Sequence, residues 1–463
     1  MRTVIFRATA LVALLCPAAA PILAQETPPA PGTPRNVELP QPHTFSLENG
    51  MDVSLVPFGA VPKVDAQLVV RAGNIDEAAD QVWLADLMAD LMREGTTSRS
   101  SQQISLEAAR MGGGVGIGVS PDELTVSGSA LAEFASDLVR LIGDLGMNPA
   151  FPESELPRLK ANRIRSVAVS KSQPRSLAVE KFQGVLYPDH PYGRVFPTEE
   201  MISGYTIDQI RSFYDQHIGA ARAHLFVVGR FDAQEMENVI RQTFAGWRPG
   251  TAAALNVPRP PATTRRIHVV DRPGAVQSSM YIGLPVIDPS HPDYIALAVT
   301  NTLLGGAFAS RITRNIREDK GYTYSPGSTV STRYRSGYWA EIADVTTAVT
   351  GPSLKEIFHE IDRLRSEPPP AEELKGIQNY MAGTFTLSAS SRGGVLGMLR
   401  QRNLHGLPED YHAGYVRRVH AVTPADVQRI AQTYLDPQKM VIVIVGDRAV
   451  IAEQIAPYGE IVE

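Results

Sequence analysis

Two aspartates, Asp86 and Asp90, are the first residues of this chain whose type and spacing could do chemistry. They lie four residues apart in LADLMADLMREGT, residues 84–96, and such a pair lies on one face of a helix. Histidines at these positions, with a glutamate before the second, would form an H-x-x-E-H zinc site, but Ala89 stands where that glutamate would be. Two carboxylates could bind a hard cation, yet calcium takes about six to eight oxygen ligands. The simpler interpretation is an exposed acidic face opposite a buried apolar stripe.

The other catalytic residue types give weaker signals. The ten histidines are scattered, and none forms H-x-x-E-H, H-x-x-H or H-x-H. No G-x-S-x-G segment indicates a serine hydrolase. The glycine-rich run 112–118 is no phosphate cradle, because no strand precedes it and no lysine follows it. We read it as a thin strand at a sheet edge, to which a peptide could add at Gly114, Val115 and Gly116.

A segment of the second half, GGAFASRITRNIREDKGYTYSPGS at residues 305–328, combines arginines and tyrosines. Arginine offers a planar fork of donors and tyrosine a neutral hydroxyl donor. Together they could hold a peptide carbonyl or stabilise a developing oxyanion. By spacing alone, a surface cluster of Arg317, Glu318 and Asp319 with tyrosines packed in the core is the better explanation of the segment.

The elements that must carry these residues occur twice. The interval from Thr206, a helix cap, to Gly229, which ends a buried strand, equals the interval from Thr423 to Gly446. The strand at residues 64–72 has a counterpart at 278–284, and a helix follows each. A duplicated unit of this kind predicts an α+β fold of two domains, each a mainly antiparallel sheet with helices packed on one face.

The domain boundaries follow from composition. Residues 1–24 have a basic start, an apolar run and a small-residue exit, which is typical of a signal peptide cleaved after Ala24. Residues 25–43 form a flexible lead-in, 44–246 the first domain, 247–266 a proline-rich linker and 267–463 the second domain. The single cysteine, Cys16, lies in the signal region, where a lipoprotein acceptor is the less favoured alternative because bulky Leu15 precedes it.

Composition excludes several classes of protein. The chain is 43% hydrophobic and 20% charged, as globular proteins are, and its formal net charge of −5 gives no reason to expect binding to nucleic acid or to an anionic membrane. No apolar run after the signal region is expected to span a bilayer. We expect an exported protein, periplasmic in a Gram-negative source, without disulfides.

The order of these segments resembles the pitrilysin or insulinase-like zinc peptidases, the inverzincins. RAGNIDE, LADLMADLMREGT and SSQQISLEAARMGG are similar to the start of the family's first domain, and YPDHPYGRVFPTEE to its end. LGGAFASRITRNIREDKGYTYS is similar to the family's second, non-metal domain. The resemblance covers nearly all of the chain from Thr44 onward.

The resemblance implies a specific division of labour. In two-subunit members, two such domains form half of a clam-shaped chamber, one subunit carries the zinc site, and the other supplies an arginine–tyrosine pair, here Arg317 and Tyr324, with Tyr322 as the alternative register. The family's zinc ligands fall on Asp86 and Asp90 and its general base on Ala89, while the third ligand, a glutamate, falls near residues 162–169, which contain no acid.

We therefore expect a subunit without zinc of its own, which is not a peptidase alone. Its expected partner is an H-x-x-E-H subunit that binds zinc, in a heterodimer acting on a peptide. The alternatives are a non-enzymatic peptide-binding or scaffold protein of the same fold, and a self-sufficient metallopeptidase using Asp86 and Asp90.

Overall fold

A computed structural model describes residues 38–254 and 263–462. The predicted signal peptide, the start of the lead-in and the middle of the predicted linker lie outside these residues. The described chain forms two six-stranded sheets, one in each half.

The strands and helices of the first half follow one another between His43 and Phe244. Its strands are β1 (His43–Ser46), β2 (Asp52–Pro57), β3 (Lys63–Val70), β4 (Gly114–Val119), β5 (Leu124–Leu131) and β6 (Ala223–Gly229). Its helices are α1 (Leu84–Arg93), α2 (Ser101–Arg110), α3 (Ala135–Met147), α4 (Leu156–Ser172), α5 (Pro174–Leu186), α6 (Glu199–Gly204), α7 (Ile207–His217) and α8 (Ala233–Phe244).

The second half repeats this plan with more helix. Its strands are β7 (Arg266–Asp271), β8 (Gln277–Val286), β9 (Gly327–Arg333), β10 (Ser336–Thr346), β11 (Val441–Gly446) and β12 (Ile461–Val462). Its helices are α9 (Tyr294–Asn301), α10 (Arg311–Thr313), α11 (Thr350–Ser366), α12 (Ala371–Ala389), α13 (Arg392–His405), α14 (Tyr415–Ala421), α15 (Pro424–Tyr434) and α16 (Arg448–Ile455). Two π-helical turns, Thr302–Gly306 and Arg314–Asp319, flank α10.

The strand orders confirm the α+β fold class with a duplicated sheet. They are β1-β2-β6-β3-β5-β4 and β12-β7-β11-β8-β10-β9. In each sheet the last long strand of the half, β6 or β11, inserts between earlier strands and pairs in parallel with β2 or β7 and antiparallel with β3 or β8. The helix before it begins with a capping box at Thr206 in α7 and at Thr423 in α15, as the repeated threonines predicted.

Each sheet is covered on its second face by a helix from the other half. α13 packs its Val395, Leu396 and Leu399 against one face of the first sheet, and α5 packs Phe182 and its neighbours against the second sheet. This exchange explains why β6 and β11 are apolar at nearly every position, since a strand buried on both faces needs no alternation. The sequence predicted helices on one face only.

The stretch predicted as a linker begins attached to the first half. Trp247 is buried in the first core, and the Arg222 Nε atom donates to the carbonyl of Thr251 at 2.7 Å. β7 then starts at Arg266.

One helical segment of the described chain, Tyr294–Asp319, is long and apolar enough by length and composition to cross a membrane. The apolar runs of the sequence did not predict such a segment. Its most apolar window is 67% buried inside the protein, and Val299, Leu303 and Ile312 belong to the second core. This is the position of a core helix.

Candidate functional site

Helix α1 presents the two aspartates of the degenerate zinc motif. Its other face, with Leu87, Met88 and Leu91, is buried in the first core. The Glu77 carboxylate accepts hydrogen bonds from the backbone N–H groups of Trp83 and Ala85, at 3.1 and 2.9 Å, and so satisfies donors at the start of the helix. Burial raises the pKa of Glu77 to about 8.

The aspartates are neither exposed nor free, contrary to the simpler interpretation of their spacing. The guanidinium of Arg163, from α4, lies between them: Nε donates to Asp90 Oδ2 at 2.6 Å and Nη1 to Asp86 Oδ1 at 3.2 Å. Nη2 donates to the backbone carbonyl of Asp86 at 3.1 Å. The side chains of Asp86, Asp90 and Arg163 are only 20%, 13% and 20% exposed. An internal cation therefore joins the two helices at the carboxylates.

Further contacts fix both carboxylates. Asn74 Nδ2 donates to Asp86 Oδ2 at 2.8 Å, and Arg93 Nη1 donates to Asp90 Oδ1 at 2.6 Å. Burial raises the pKa of Asp86, and the adjacent Arg163 opposes that shift.

These residues do not fit a catalytic zinc ion. Zinc sites use imidazole, thiolate or carboxylate donors and keep one open position for water, whereas a guanidinium stands between the carboxylates here. Ala89, at the position of the base, is buried and has no proton-transfer group. Within residues 38–254 and 263–462 no group of three or more His, Cys, Asp or Glu is arranged to hold a metal ion.

Arg317 and Tyr324 are brought together in the second half. The Arg317 guanidinium carbon lies 4.8 Å from the centroid of the Tyr324 ring and 4.5 Å from that of Phe308, and Nε is 3.0 Å from Glu318 Oε1. The Tyr324 side chain is 80% exposed, so its hydroxyl faces solvent. Tyr322 packs against the second core, which makes Tyr324 the tyrosine beside Arg317.

A stretch of irregular helix positions the rings of Phe308 and Tyr324 beside Arg317. Arg317 lies on a π-helical turn, a geometry frequent at functional sites. The preceding α10 is fixed to α12 by a bidentate ion pair between Arg311 and Glu373, at 2.8–2.9 Å.

The glycine pair before Phe308 is required by close packing. A Cβ on Gly305 would lie 2.5 Å from Ser328 Oγ and 2.6 Å from Glu341 Oε2. Glu341 is fully buried, neither of its oxygens has a hydrogen-bond partner, and burial raises its pKa well above the usual carboxyl range.

The structure places Gly114, Val115 and Gly116 on β4, the edge strand of the first sheet. A cavity of about 320 Å³ lies between β4 and α2. It is lined by residues that include Ile104, Ser105, Ala108 and 113–117. Space for a peptide side chain is therefore present beside the strand.

Sequence reasoning missed Arg163 and Phe308. Arg163 lies within residues 162–169, where the resemblance implies an acid, and a basic residue in its place was an available signal. Phe308 lies two residues after the glycine pair, but nothing local indicates that its ring meets a side chain nine residues later.

Family models match two successive segments of this chain. Residues 60–195 match the family model described as Insulinase (Peptidase family M16), and residues 204–381 match the one described as Peptidase M16 inactive domain. An uncharacterized zinc protease of Rickettsia felis is 23% identical over 333 residues, which are 71% of this chain and 79% of that protein. One of Streptomyces coelicolor is 22% identical over 411 residues, 87% and 88% of the two chains.

Solved structures show the same fold. A peptidase M16 inactive domain from Pseudomonas fluorescens superposes with a TM-score of 0.81 at 24% identity, over 88% of this chain and 98% of that one. A protease from Helicobacter pylori superposes with a TM-score of 0.82 at 18% identity, over 88% and 100%.

The fold is that of the solved M16 peptidase structures, and the sequence contains no H-x-x-E-H motif. The chain belongs to the insulinase-like (M16) peptidase family.

Proposed function

We propose that this chain is the non-catalytic subunit of a heteromeric insulinase-like metallopeptidase. It would bind a peptide and place Arg317 and Tyr324 at the zinc site of a partner chain that carries H-x-x-E-H. One contrast carries the proposal: Arg163 occupies the space between the two aspartates, while Arg317 and Tyr324 are in contact and Tyr324 is open to solvent.

The chemistry expected of the pair follows from its donors. The planar guanidinium can donate to a peptide carbonyl and to the oxyanion that develops during hydrolysis. The phenol of Tyr324 adds a neutral hydroxyl donor. In the complex, the partner's zinc would supply water activation, and this chain's residues would hold and polarise the substrate.

The test uses a complex reconstituted from this chain and its H-x-x-E-H partner. Arg317→Ala and Tyr324→Phe should each lower kcat roughly 100- to 1,000-fold, the effect of losing a donor to a developing oxyanion. Size-exclusion chromatography should show unchanged assembly.

Matched controls lie nearby. Arg314, on the same π-helical turn, and Tyr380, exposed on α12, are of the same residue types. Arg314→Ala and Tyr380→Phe should leave kcat unchanged. Full turnover in both Arg317→Ala and Tyr324→Phe would contradict the proposed role.

The partner and the compartment are part of the same proposal. The chain would be exported and act in the periplasm, because residues 1–24 have the composition of a signal peptide. Affinity purification from the periplasmic fraction of the native source should recover an H-x-x-E-H chain. Recovery of this protein without such a chain would favour the peptide-binding or scaffold alternative instead.

A further inference from the structure

Along the edge strand β4, every second residue directs its backbone N–H and C=O groups away from the neighbouring strand β5. Consecutive residues of an antiparallel strand direct their N–H and C=O groups to opposite sides. β4 pairs with β5 on one side only. The Ser120 N–H donates to the Glu123 carbonyl at the hairpin, which fixes the alternation, so the backbone N–H and C=O groups of Val115, Ile117 and Val119 point to the open side. An unpaired edge of this kind is where an extended peptide or a second chain can add a strand.

One of these outward carbonyls is already occupied. Arg93, the last residue of α1, donates from both Nε, at 3.0 Å, and Nη2 to the carbonyl oxygen of Ile117. The same guanidinium is tied through Nη1 to Asp90. Arg93 therefore takes the acceptor that an added strand would need at the centre of β4.

The degenerate metal site keeps Arg93 in this position. One oxygen of Asp90 accepts from Arg93 and the other from Arg163. Because both oxygens are engaged by guanidinium groups from different elements, the carboxylate cannot turn away without breaking one of the two ion pairs. Arg163, Asp90, Arg93 and the Ile117 carbonyl form one connected chain from α4 through α1 to β4.

We propose that this chain of contacts is a clasp that closes β4 to strand addition, with Arg93 as the capping residue and Asp90 as its positioning residue. The cavity beside β4 has room for side chains, so the block acts through the occupied backbone acceptor rather than through filled space. A peptide aligned along Gly114, Val115 and Gly116 must displace Arg93 to continue past Ile117. The inference concerns this chain alone and does not depend on a partner subunit.

The test measures peptide binding to the full chain. The probe is a fluorescein-labelled peptide of alternating threonine and valine with lysines at both ends, followed by fluorescence anisotropy. Arg93→Ala should bind it roughly fivefold more tightly than the wild type, the gain expected from one freed backbone hydrogen bond. Arg93→Gln, whose side chain is shorter and lacks the guanidinium, should behave in the same way.

Arg140 provides a matched control. It also pairs with an aspartate three residues earlier, Asp137, at 2.9 Å, and its side chain is 51% exposed against 46% for Arg93. Arg140→Ala should leave affinity unchanged, and hydrogen exchange of Arg93→Ala with bound peptide should show new protection in β4. Equal affinity of the wild type and both Arg93 variants, an equal gain in Arg140→Ala, or tighter binding without protection of β4 would each overturn the clasp.

Discussion

Replacing Arg163 by leucine removes the cation between Asp86 and Asp90 and leaves two partly buried carboxylates without it. Removing one partner of a buried ion pair costs about 3–5 kcal/mol. The three side chains retain 13–20% of their exposure, so partial solvation reduces the expected loss to about 2–3 kcal/mol of unfolding free energy.

The assay is equilibrium urea denaturation followed by tryptophan fluorescence. Trp83 is a local reporter, because the Arg163 guanidinium carbon lies 5.5 Å from the centroid of its ring. The chain exceeds the size at which a single two-state transition is expected, so the comparison rests on the midpoint and slope of the fluorescence transition, to which Trp83 contributes together with Trp247 and Trp339.

Arg158 supplies the control on the same helix. It also contacts two carboxylates, those of Glu94 and Glu155, but its side chain is 50% exposed. Arg158→Leu should shift the midpoint little, because exposed ion pairs contribute little to stability.

A second control separates the unpaired charge from lost packing. Changing Asp86 and Asp90 to asparagine in the Arg163→Leu background should recover at least half of the loss, since no carboxylate is then left unpaired. Equal midpoints for Arg163→Leu and Arg158→Leu would refute the view that Arg163 is the internal replacement for the metal.

Three further predictions follow from the two candidate sites. Arg163→Glu places a third carboxylate beside two others, so Mn²⁺ should raise the melting temperature of this variant but not of the wild type, as thermal denaturation with and without EDTA will show. Phe308→Ala removes one of two rings stacked on Arg317, a cation–π contact of about 0.5–1 kcal/mol. The change should lower kcat of the reconstituted complex roughly two- to fivefold. Phe308→Tyr keeps an aromatic ring and should retain the wild-type kcat. Because burial raises the pKa of Glu341 on folding, the folded state binds its proton more tightly than the unfolded chain does. Its stabilising contribution is full below the ordinary carboxyl pKa of 4.5 and is lost as pH rises toward the folded pKa. The free energy of unfolding, measured by denaturation between about pH 5 and pH 9, should therefore fall less steeply with pH for Glu341→Gln than for the wild type. Parallel stability–pH curves for the two proteins would contradict this assignment.

Local patterns predicted much of the fold because their causes are local. The capping residues Thr206 and Thr423 and the apolar strands that follow them are set by short-range hydrogen bonding and by burial of alternate or continuous apolar residues. The covering of each sheet by a helix from the other half was not predictable in this way. α5 and α13 are amphipathic segments whose partners lie in distant parts of the chain, and periodicity does not identify a partner.

In the candidate site of the second half, too, some residues could be identified from the sequence and others only from the fold. Arg317 and Tyr324 could be selected because a resemblance to a known motif fixed their register, and the structure places Tyr324 rather than Tyr322 beside the arginine. Phe308 escaped selection because its ring meets Arg317 only through the irregular turns between them.

The amino-acid sequence alone establishes which side chains stand at the three motif positions of α1, and therefore that no imidazole or general base is available there. It could not determine what the two aspartates do instead. Arg163 lies 73 residues beyond Asp90, and only the packing of α4 on α1 brings its guanidinium between the carboxylates. The same packing holds Arg93 at β4. Residue types are fixed by the sequence, whereas pairing between distant charges is decided by the tertiary fold, since ion pairs of this strength require helices held at contact distance and partly removed from water.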